Sequence, residues 1–435
     1  MPREVVRSAR MANVRGRGLE FFDRKGSAAA AILVVAAVFG ACSLGSSPTV
    51  GPSVSVTRSA ATTTSVPVVP SATALATETT SLAPTAMPTP GKGHFSLTGS
   101  MVIDRADHTA TLLQDGRVLI VGGWSLATEV ASAELYSPKT GRFVLTGTMS
   151  QPRDGHTATR LADGRVLIVG GARGTTGDPV PAEVYDPKTG RFSQTGAMAQ
   201  DRSHHTATLL KDGRVLVAGG NDDSGTALAS VEIYDPTTGR FSPTGAMGQA
   251  RSGSTATLMP DGLVMVAGGL EARDAPLATA EFYDPPTGLF YHVGSMAQAR
   301  TGATATLLRD GRVLVVGGSY PATNSAELYD PDLCTFSSAG STMDARDGQT
   351  ATLLEDGQVL LVGGESDFNA PVLTTSELFD PTGNSFVPSG SKEGVDTSGA
   401  TATLLPNGRV LVAGGFDVRA QMMLATAELW TPYQP

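Results

Sequence analysis

Three histidines that recur at nearly constant spacing are the first residues that could do chemistry. His108, His156 and His205 each stand three residues after an arginine and directly before the string Thr-Ala-Thr. Imidazole is a common metal ligand, but zinc ligands must converge to about 2.0–2.1 Å, and equivalent residues of successive repeats lie along an arc. In the other repeats this slot holds Ser254, Ala303, Gln349 and Ala400. The pattern therefore favours a repeat consensus over a metal centre, and we predict no metal site.

A glutamate and an arginine recur with the same spacing. The glutamates are Glu134, Glu183, Glu232, Glu281, Glu327, Glu377 and Glu428. The arginines are Arg105, Arg153, Arg202, Arg251, Arg300 and Arg346. A buried charge must be paired, and a planar guanidinium suits a carboxylate, so we predict structural Arg–Glu bridges and not a ring of catalytic carboxylates. Thr397 stands at the arginine position of the last repeat, which leaves Glu428 without that arginine.

One short acidic loop offers oxygen ligands of the kind that calcium prefers. Its sequence, Asn-Asp-Asp-Ser-Gly, spans Asn221–Gly225 and occurs once. The loop lacks the ligand spacing of a dedicated calcium loop, so a plain polar turn is the favoured interpretation.

These residues are positioned by a repeat that occupies most of the chain. The string DGRVLIVGG stands at Asp115–Gly123 and again at Asp163–Gly171. Variants follow at Asp212–Gly220, Asp261–Gly269, Asp310–Gly318, Asp356–Gly364 and Asn407–Gly415. The seven copies are 46 to 51 residues apart, and a fixed period of that size indicates a repeat architecture.

Each repeat predicts four short antiparallel strands. In the first repeat these are His108–Leu113, Arg117–Val121, Ser132–Tyr136 and Arg142–Gly147, and the turns between them are rich in Asp, Pro and Gly. The second strand is apolar throughout, which indicates burial on both faces of its sheet. Such sheets are covered when they stack face to face around an axis, so the sequence predicts an all-β propeller.

The glycine pair after a buried strand, the string Glu-Leu-Tyr-Asp-Pro and an aromatic residue in the fourth strand resemble the kelch repeat. The likeness runs from Phe95 to Pro435 and is strongest to bacterial kelch proteins and the propeller of galactose oxidase. The resemblance implies a seven-bladed kelch-type β-propeller. The array begins with a lone fourth strand, His94–Gly99, and ends with a third strand, Ala427–Pro432. We therefore expect the N-terminal strand to complete the last blade.

The likeness to galactose oxidase also implies a copper centre with a cysteine cross-linked to a tyrosine, a second tyrosine and two histidines. Cys334 lies in a turn opposite the variable loops, and His292 stands alone in a fourth strand. The copper constellation is not apparent, so we predict no catalytic residue and no cofactor. A secreted carbohydrate-active enzyme, or an oxidase of that kind, is the alternative function.

Residues 1–41 resemble a bacterial lipoprotein leader. Several arginines precede a 14-residue apolar run, Ala28 to Ala41, which ends at Cys42. A signal h-region has about 7–15 residues, whereas a membrane-spanning helix needs about 20. The string Phe-Gly-Ala-Cys resembles a lipobox, although Phe39 replaces the usual leucine. We predict cleavage before Cys42 and lipidation of that cysteine; an uncleaved anchor and ordinary secretion are the alternatives.

Residues 42–93 are predicted to be a disordered tether for the propeller at 94–435. They are rich in Ser, Thr, Ala and Pro and contain no aromatic residue. Such a segment cannot bury enough apolar area to offset its chain entropy. The expected location is the cell surface or the periplasm, with the chain anchored to a bacterial membrane as a lipoprotein.

The charge pattern excludes nucleic acid as a partner. The net charge is −9, and the repeats contain no basic run that could neutralise phosphates. We expect the propeller to be monomeric.

The loops between second and third strands vary between repeats, and variable loops on a rigid scaffold are the usual place for binding. Four repeats that ring closure makes neighbours have aromatic and acidic residues there: Trp124, Tyr320, Glu365, Asp367, Phe368, Phe416 and Asp417. Aromatic side chains can anchor interfaces. We predict a non-catalytic recognition module that binds an unknown protein or glycan at this rim. Packing of each ring under its own loop is the alternative.

Replacement of Cys42 by alanine should abolish lipidation, because the thioether forms on its sulfur. Cells fed a labelled fatty acid should label the wild type, whereas Cys42→Ala should accumulate as an unlabelled full-length precursor. Cys334→Ala is the matched control and should be labelled like the wild type. Equal labelling of Cys42→Ala and the wild type would rule out the lipoprotein prediction.

Overall fold

The computed structural model describes residues 93–125, 128–171, 180–271, 275–318, 321–366, 373–392, 398–417 and 420–433. The predicted leader at 1–41, Cys42 and the predicted tether up to residue 92 lie outside these ranges. So do Tyr320, Asp367, Phe368 and Thr397. Within the described ranges no helix is long and apolar enough to cross a membrane.

The described residues form seven four-stranded antiparallel sheets, here called blades, and no helix. The first strands of blades one to seven are β2 (Thr109–Leu112), β8 (Thr157–Arg160), β12 (Thr206–Leu209), β16 (Thr255–Leu258), β20 (Thr304–Leu307), β24 (Thr350–Leu353) and β28 (Thr401–Leu404). The second strands are β3 (Val118–Val121), β9 (Val166–Val169), β13 (Val215–Ala218), β17 (Val264–Ala267), β21 (Val313–Val316), β25 (Val359–Val362) and β29 (Val410–Ala413). The third strands are β6 (Ser132–Ser137), β10 (Glu183–Asp186), β14 (Val231–Asp235), β18 (Thr279–Asp284), β22 (Thr323–Asp330), β26 (Thr375–Asp380) and β32 (Ala427–Pro432). The fourth strands are β7 (Arg142–Thr148), β11 (Arg191–Gln194), β15 (Arg240–Pro243), β19 (Leu289–Ser295), β23 (Thr335–Arg346), β27 (Ser385–Ser391) and β1 (Gly93–Leu97).

The first strands surround the axis of the molecule. Each lies against the first strands of the two neighbouring blades, and β28 lies against β2, which closes the ring. This arrangement confirms the predicted all-β, seven-bladed propeller. The third and fourth strands accordingly form the outer part of each blade.

The second strands are buried on both faces because each faces two neighbours. In β3, Val118 and Ile120 pack with Leu411 of blade seven. On the opposite face, Leu119 packs with Val166 of blade two. One apolar cluster of this kind lies at every interface between blades. This two-sided burial explains why the strand is apolar at every position.

The glycine pair that ends each second strand is required by the backbone. Gly122 and Gly123 have φ of 65° and 88°, which favours glycine. A Cβ atom on Gly122 would lie 2.7 Å from the carbonyl oxygen of Arg153 in the next blade. The Gly123 N–H donates to that same oxygen at 2.9 Å. A larger residue would therefore separate the two blades.

The N-terminal strand completes blade seven, as predicted. β1 pairs antiparallel with β32, with Phe95 opposite Trp430 and Leu97 opposite Glu428. Both Phe95 and Trp430 are buried. β1 begins at Gly93, the last residue of the tether that the sequence predicts.

Two short hairpins that the sequence did not predict follow the glycine pairs of adjacent blades. Blade one has β4 (Trp124–Ser125) and β5 (Thr128–Glu129), and blade seven has β30 (Phe416–Asp417) and β31 (Met422–Met423). In each hairpin the two strands pair antiparallel.

Removal of β1 should destabilise the ring, whereas removal of the segment before it should not. Deletion of residues 43–92 should leave the Tm unchanged, because β1 stays paired with β32. Deletion of residues 43–101 exposes an unpaired strand edge and removes buried Phe95, a loss of about 3–5 kcal/mol for that side chain alone. We expect the second protein to have a lower Tm and to aggregate. Equal Tm values for the two truncations would contradict this closure.

Candidate functional site

The structure brings together all six predicted Arg–Glu pairs in the interior. The distances between guanidinium nitrogen and carboxylate oxygen are 2.9 Å for Arg105–Glu134, 3.2 Å for Arg153–Glu183, 3.3 Å for Arg202–Glu232, 2.9 Å for Arg251–Glu281, 3.0 Å for Arg300–Glu327 and 2.6 Å for Arg346–Glu377. Burial lowers the pKa of Arg105, and the charge of Glu134 opposes that shift. Glu428 is buried at the equivalent position of blade seven. Thr397, which stands at the arginine position of that blade, lies outside the described residues.

Each arginine also clamps the variable loop of its blade. In blade one, Nη1 of Arg105 donates to the carbonyl oxygens of Gly122 at 2.9 Å and Ser132 at 3.1 Å, the residues where that loop begins and ends. The carboxylate of Glu134 accepts the backbone N–H groups of Val102 at 2.7 Å and Ile103 at 3.1 Å. Both carboxylate oxygens of Glu134 thus hold the scaffold together.

The three histidines that precede first strands, here called the slot histidines, join neighbouring blades and do not converge on one point. Nε2 lies within hydrogen-bond distance of a threonine hydroxyl of the preceding blade: His108 to Thr401 at 2.9 Å, His156 to Thr109 at 3.0 Å and His205 to Thr157 at 2.9 Å. Burial lowers the pKa of His108 and His156 to about 3 and that of His205 well below its usual value. The imidazoles are therefore neutral structural groups at ordinary pH.

Residues with left-handed backbone conformation form a ring around one end of the propeller axis, directly before the first strands. We call this end the mouth. The mouth ring consists of Asp107, Gly155, His204, Gly253, Gly302, Gly348 and Gly399, with φ between 54° and 68°. Backbone N–H groups link it across blades: Asp107 donates to Gly399 at 3.0 Å, and His204 donates to Gly155 at 2.8 Å. Asp107 and His204 adopt this conformation without being glycine, at a cost of order 1–3 kcal/mol each. Such residues are candidates for a function at the mouth.

The two described rim aromatics lie beside this ring on neighbouring blades. Trp124 pairs with Ala106 of blade one, and Phe416 pairs with Ser398 of blade seven. Both side chains are half-buried. Asp107 is exposed, and a Cβ atom on Gly399 would lie 2.5 Å from its Oδ1, so this carboxylate reaches over to blade seven. We call Trp124, Phe416 and Asp107 the seven-one patch.

The acidic residues of the predicted rim have different surroundings. Glu365 of blade six is half-buried, and its backbone pairs with Asp347 at the mouth. Asp417 is buried, and its carboxylate accepts the N–H of Ala420 at 2.9 Å, so this carboxylate holds the hairpin of blade seven. Tyr320, Asp367 and Phe368 lie outside the described residues.

Sequence reasoning missed Asp107, although a signal for it exists. Five of the seven repeats have glycine at its position, and only Asp107 and His204 depart from that pattern. In the loop Asn221–Gly225, Asp222 Oδ1 accepts the N–H groups of Ser224 and Thr226, both at 2.9 Å, as in a polar turn.

Comparisons with known proteins agree with the fold. The Kelch motif family model matches residues 202–248, which span one repeat. No curated protein sequence matches the chain. A fungal alcohol oxidase of the AA5 family, solved in complex with copper, is similar in structure with a TM-score of 0.65 and 18% identity, over 78% of this chain and 76% of that one. The structure of YjhT is similar with a TM-score of 0.53 and 15% identity, over 66% of this chain and 98% of that one. At these identities the likeness shows the fold alone.

The copper named for the fungal enzyme does not fit the residues described here. Among them no three His, Cys, Asp or Glu side chains are gathered closely enough to hold a metal ion. His108, His156 and His205 are each within hydrogen-bond distance of a threonine hydroxyl, and six of the seven repeated glutamates are paired with an arginine. The described part of the mouth therefore lacks the donor set for copper.

Replacement of a slot histidine should reduce the loss of stability in acid. The folded-state pKa of His156 is about 3, below the unfolded value of 6.5, so below pH 6.5 the unfolded chain binds a proton that the folded chain does not. This histidine lowers the free energy of unfolding by up to about 1.4 kcal/mol per pH unit as the pH falls from 6.5 towards 3. In His156→Gln that contribution disappears, and glutamine is tolerated because Gln349 occupies the slot in blade six.

Urea unfolding at pH values between 7 and 4 measures this effect. The free energy of unfolding of His156→Gln should fall less steeply than that of the wild type. His94→Gln, at an exposed position of β1, is the matched histidine-to-glutamine control. Parallel slopes for His156→Gln and the wild type would refute the assignment.

Proposed function

We propose that the protein is a non-catalytic, extracytoplasmic recognition module that binds a protein or polysaccharide at the rim around its axial mouth. The observation that supports this function best is the seven-one patch. Trp124 and Phe416 are half-buried on adjacent hairpins, and exposed Asp107 lies between their blades. Aromatic rings provide a large contact area at low entropic cost, and the carboxylate can accept hydrogen bonds from hydroxyl or basic groups.

The scaffold beneath the patch is suited to binding. Gly415 of blade seven donates its N–H to the carbonyl oxygen of Arg105 at 2.9 Å, directly below the two hairpins. The hydroxyl of Ser125 donates to Asp104 at 2.9 Å, which fixes the first hairpin. Little conformational entropy is then lost when a ligand binds, and this favours affinity.

The proposed location rests on the N-terminal sequence. A leader at 1–41, lipidation at Cys42 and a tether at 42–93 would present the propeller outside the cytoplasm. A rim that faces away from the membrane could then reach a surface polymer or a neighbouring protein.

The alternative is a secreted carbohydrate-active enzyme or a copper oxidase. The fold likeness to an alcohol oxidase supports it, but the described residues supply no copper donor set, and six of the seven repeated glutamates are paired with an arginine. Stoichiometric copper or zinc in the purified protein would favour the enzyme.

Replacement of both patch aromatics should abolish binding and leave the fold intact. We expect the double variant Trp124→Ala and Phe416→Ala to lose at least about thirtyfold in affinity, because truncation of an anchor residue costs about 2 kcal/mol or more and each 1.4 kcal/mol is a factor of ten. The ligand is first found by screening the protein against cell-surface proteins and purified glycans, and affinity and Tm are then measured for each variant.

The matched control replaces the residues at the equivalent position of two blades on the opposite side of the ring. Asn221 and Leu270 directly follow the glycine pairs of blades three and four. The variant Asn221→Ala with Leu270→Ala should bind like the wild type. A large drop in Tm of the aromatic double variant, or unchanged affinity, would show that the rings are scaffold.

A further inference from the structure

The end of the propeller opposite the mouth has a repeated arginine contact in the turn between first and second strands. In four blades the arginine that follows Asp-Gly pairs with the aspartate of its own turn at 2.7 Å: Arg117–Asp115, Arg165–Asp163, Arg214–Asp212 and Arg312–Asp310. Two of these arginines also donate to a proline carbonyl oxygen in the outer turn of the next blade, Arg117 to Pro187 at 3.4 Å and Arg312 to Pro381 at 3.0 Å. A guanidinium group therefore lies across the interface between two blades.

Blade four lacks this arginine but keeps the aspartate. Leu263 stands at the arginine position and packs against the apolar cluster between blades four and five. Asp261 is exposed, and its Oδ1 accepts the N–H of Leu263 at 3.0 Å. Among the described residues none donates to its Oδ2, the oxygen that binds arginine in the four blades above. Lys211 of blade three reaches this turn, but its ammonium group donates to the carbonyl oxygen of Pro260.

A buried hydroxyl group at the same interface has no partner. In blades one to four the third-strand tyrosine lies 2.8–2.9 Å from a threonine hydroxyl of the preceding blade, as Tyr283 does from Thr244. Blade five has Tyr329 at this position, but Val293 replaces the threonine. Tyr329 is fully buried, and no described residue forms a hydrogen bond with its hydroxyl. A buried polar group without a partner destabilises the fold, so a donor that reached this oxygen would be bound favourably.

An aromatic ring lies on the same side of blade four. The centre of the Tyr291 ring is 6.3 Å from that of Phe282, and Phe282 is 5.7 Å from Tyr329 of blade five. Tyr291 is 41% exposed, whereas blades two, three and five have Ser193, Ser242 and Ser337 at its position. Asp284 follows Phe282 by two residues in β18 and so points to the same face of the blade.

Electrostatics agree with this grouping. Burial, followed by the charges of Asp261 and Asp330, raises the pKa of Tyr329 to about 12. Burial, followed by the charges of Asp284 and Asp261, also raises the pKa of Tyr291. The two hydroxyls therefore stay protonated and lie close to carboxylates. We call Asp261, Asp284, Tyr291 and Tyr329 the four-five notch.

We infer that the four-five notch binds the guanidinium group of an arginine side chain from another polypeptide. The other blades show how a guanidinium is held at this position: Nε and Nη2 of Arg214 lie 2.8 and 2.7 Å from Oδ2 of Asp212. The incoming group pairs with Asp261 in the same way, donates to the Tyr329 hydroxyl and stacks on the Tyr291 ring. A lysine ammonium fits less well, because it lacks the planar fork of donors.

The surroundings of the notch favour a polypeptide over a free amino acid. Leu289, which pairs with Asp284, is 60% exposed, and Leu333 in the next turn of blade five is 70% exposed. These side chains provide apolar contacts for the residues that flank the arginine. This inference goes beyond the proposed rim function and does not rest on it.

The full chain is titrated with three probes by saturation-transfer NMR and calorimetry: the peptide acetyl-Leu-Arg-Leu-amide, the same peptide with lysine, and free arginine. We expect the arginine peptide to bind at least about tenfold more tightly than the other two. Asp261→Asn should weaken its binding at least about tenfold, as loss of one charge-assisted hydrogen bond does. The turn should survive, because Asn407 occupies this position in blade seven and accepts the N–H of Arg409 at 3.2 Å.

A second variant restores the arginine of the repeat. In Leu263→Arg the new side chain pairs with Asp261 and fills the notch from within, as Arg214 does in blade three. Binding of the arginine peptide should be abolished, while the Tm stays equal to that of the wild type or rises.

Two controls separate the notch from general charge attraction and from the rim. Blade six also lacks the arginine, with Gln358 at its position, but blade seven has Trp430 where blade five has Tyr329. Asp356→Asn and the Trp124→Ala and Phe416→Ala double variant should therefore bind the arginine peptide like the wild type.

Equal binding of the arginine and lysine peptides, or weakened binding by Asp356→Asn, would identify non-specific attraction and overturn the inference. Equal affinity for free arginine and the peptide overturns the assignment to a polypeptide. Absence of binding by the arginine peptide, or full binding by Asp261→Asn or Leu263→Arg, overturns the site itself.

Discussion

The rest of the described structure depends on one contact: the buried arginine that clamps both ends of the variable loop in blades one to six. Burial of two charges costs several kcal/mol per ion and is offset only when the remaining polar atoms are also bonded. Arg105 meets this condition through Glu134, Gly122 and Ser132. Because the loop starts at Gly122 and ends at Ser132, one ion pair fixes its two ends. The loop between them can then vary without disturbing the blade.

The same arginine connects neighbouring blades through its backbone. The carbonyl oxygen of Arg153 accepts the N–H of Gly123, and that of Arg105 accepts the N–H of Gly415. Each loop is therefore anchored to its own blade by a side chain and to the next blade by a main chain. This double anchorage places Trp124 and Phe416 on neighbouring blades although 292 positions separate them in the chain.

The candidate site at the mouth uses residues that break the repeat. The repeated Arg, Glu, His and Gly residues are already engaged by partners within the scaffold, and this leaves them little capacity for a ligand. Asp107, Trp124 and Phe416 at the mouth occupy positions where other blades have different residues. Asymmetry in a symmetric scaffold thus marks where a single ligand could bind.

The sequence by itself determined the fold, because a period of 46 to 51 residues, two-sided apolar strands and the unpaired strands at either end of the array admit one closed ring. It also predicted the Arg–Glu partners, since buried opposite charges of equal period must meet. Only the tertiary structure decided what each rim residue faces: Asp417 turns inward, whereas Asp107 reaches across to Gly399. The contact between Asp107 and Gly399 joins distant parts of the chain, and local patterns do not report contacts of that range.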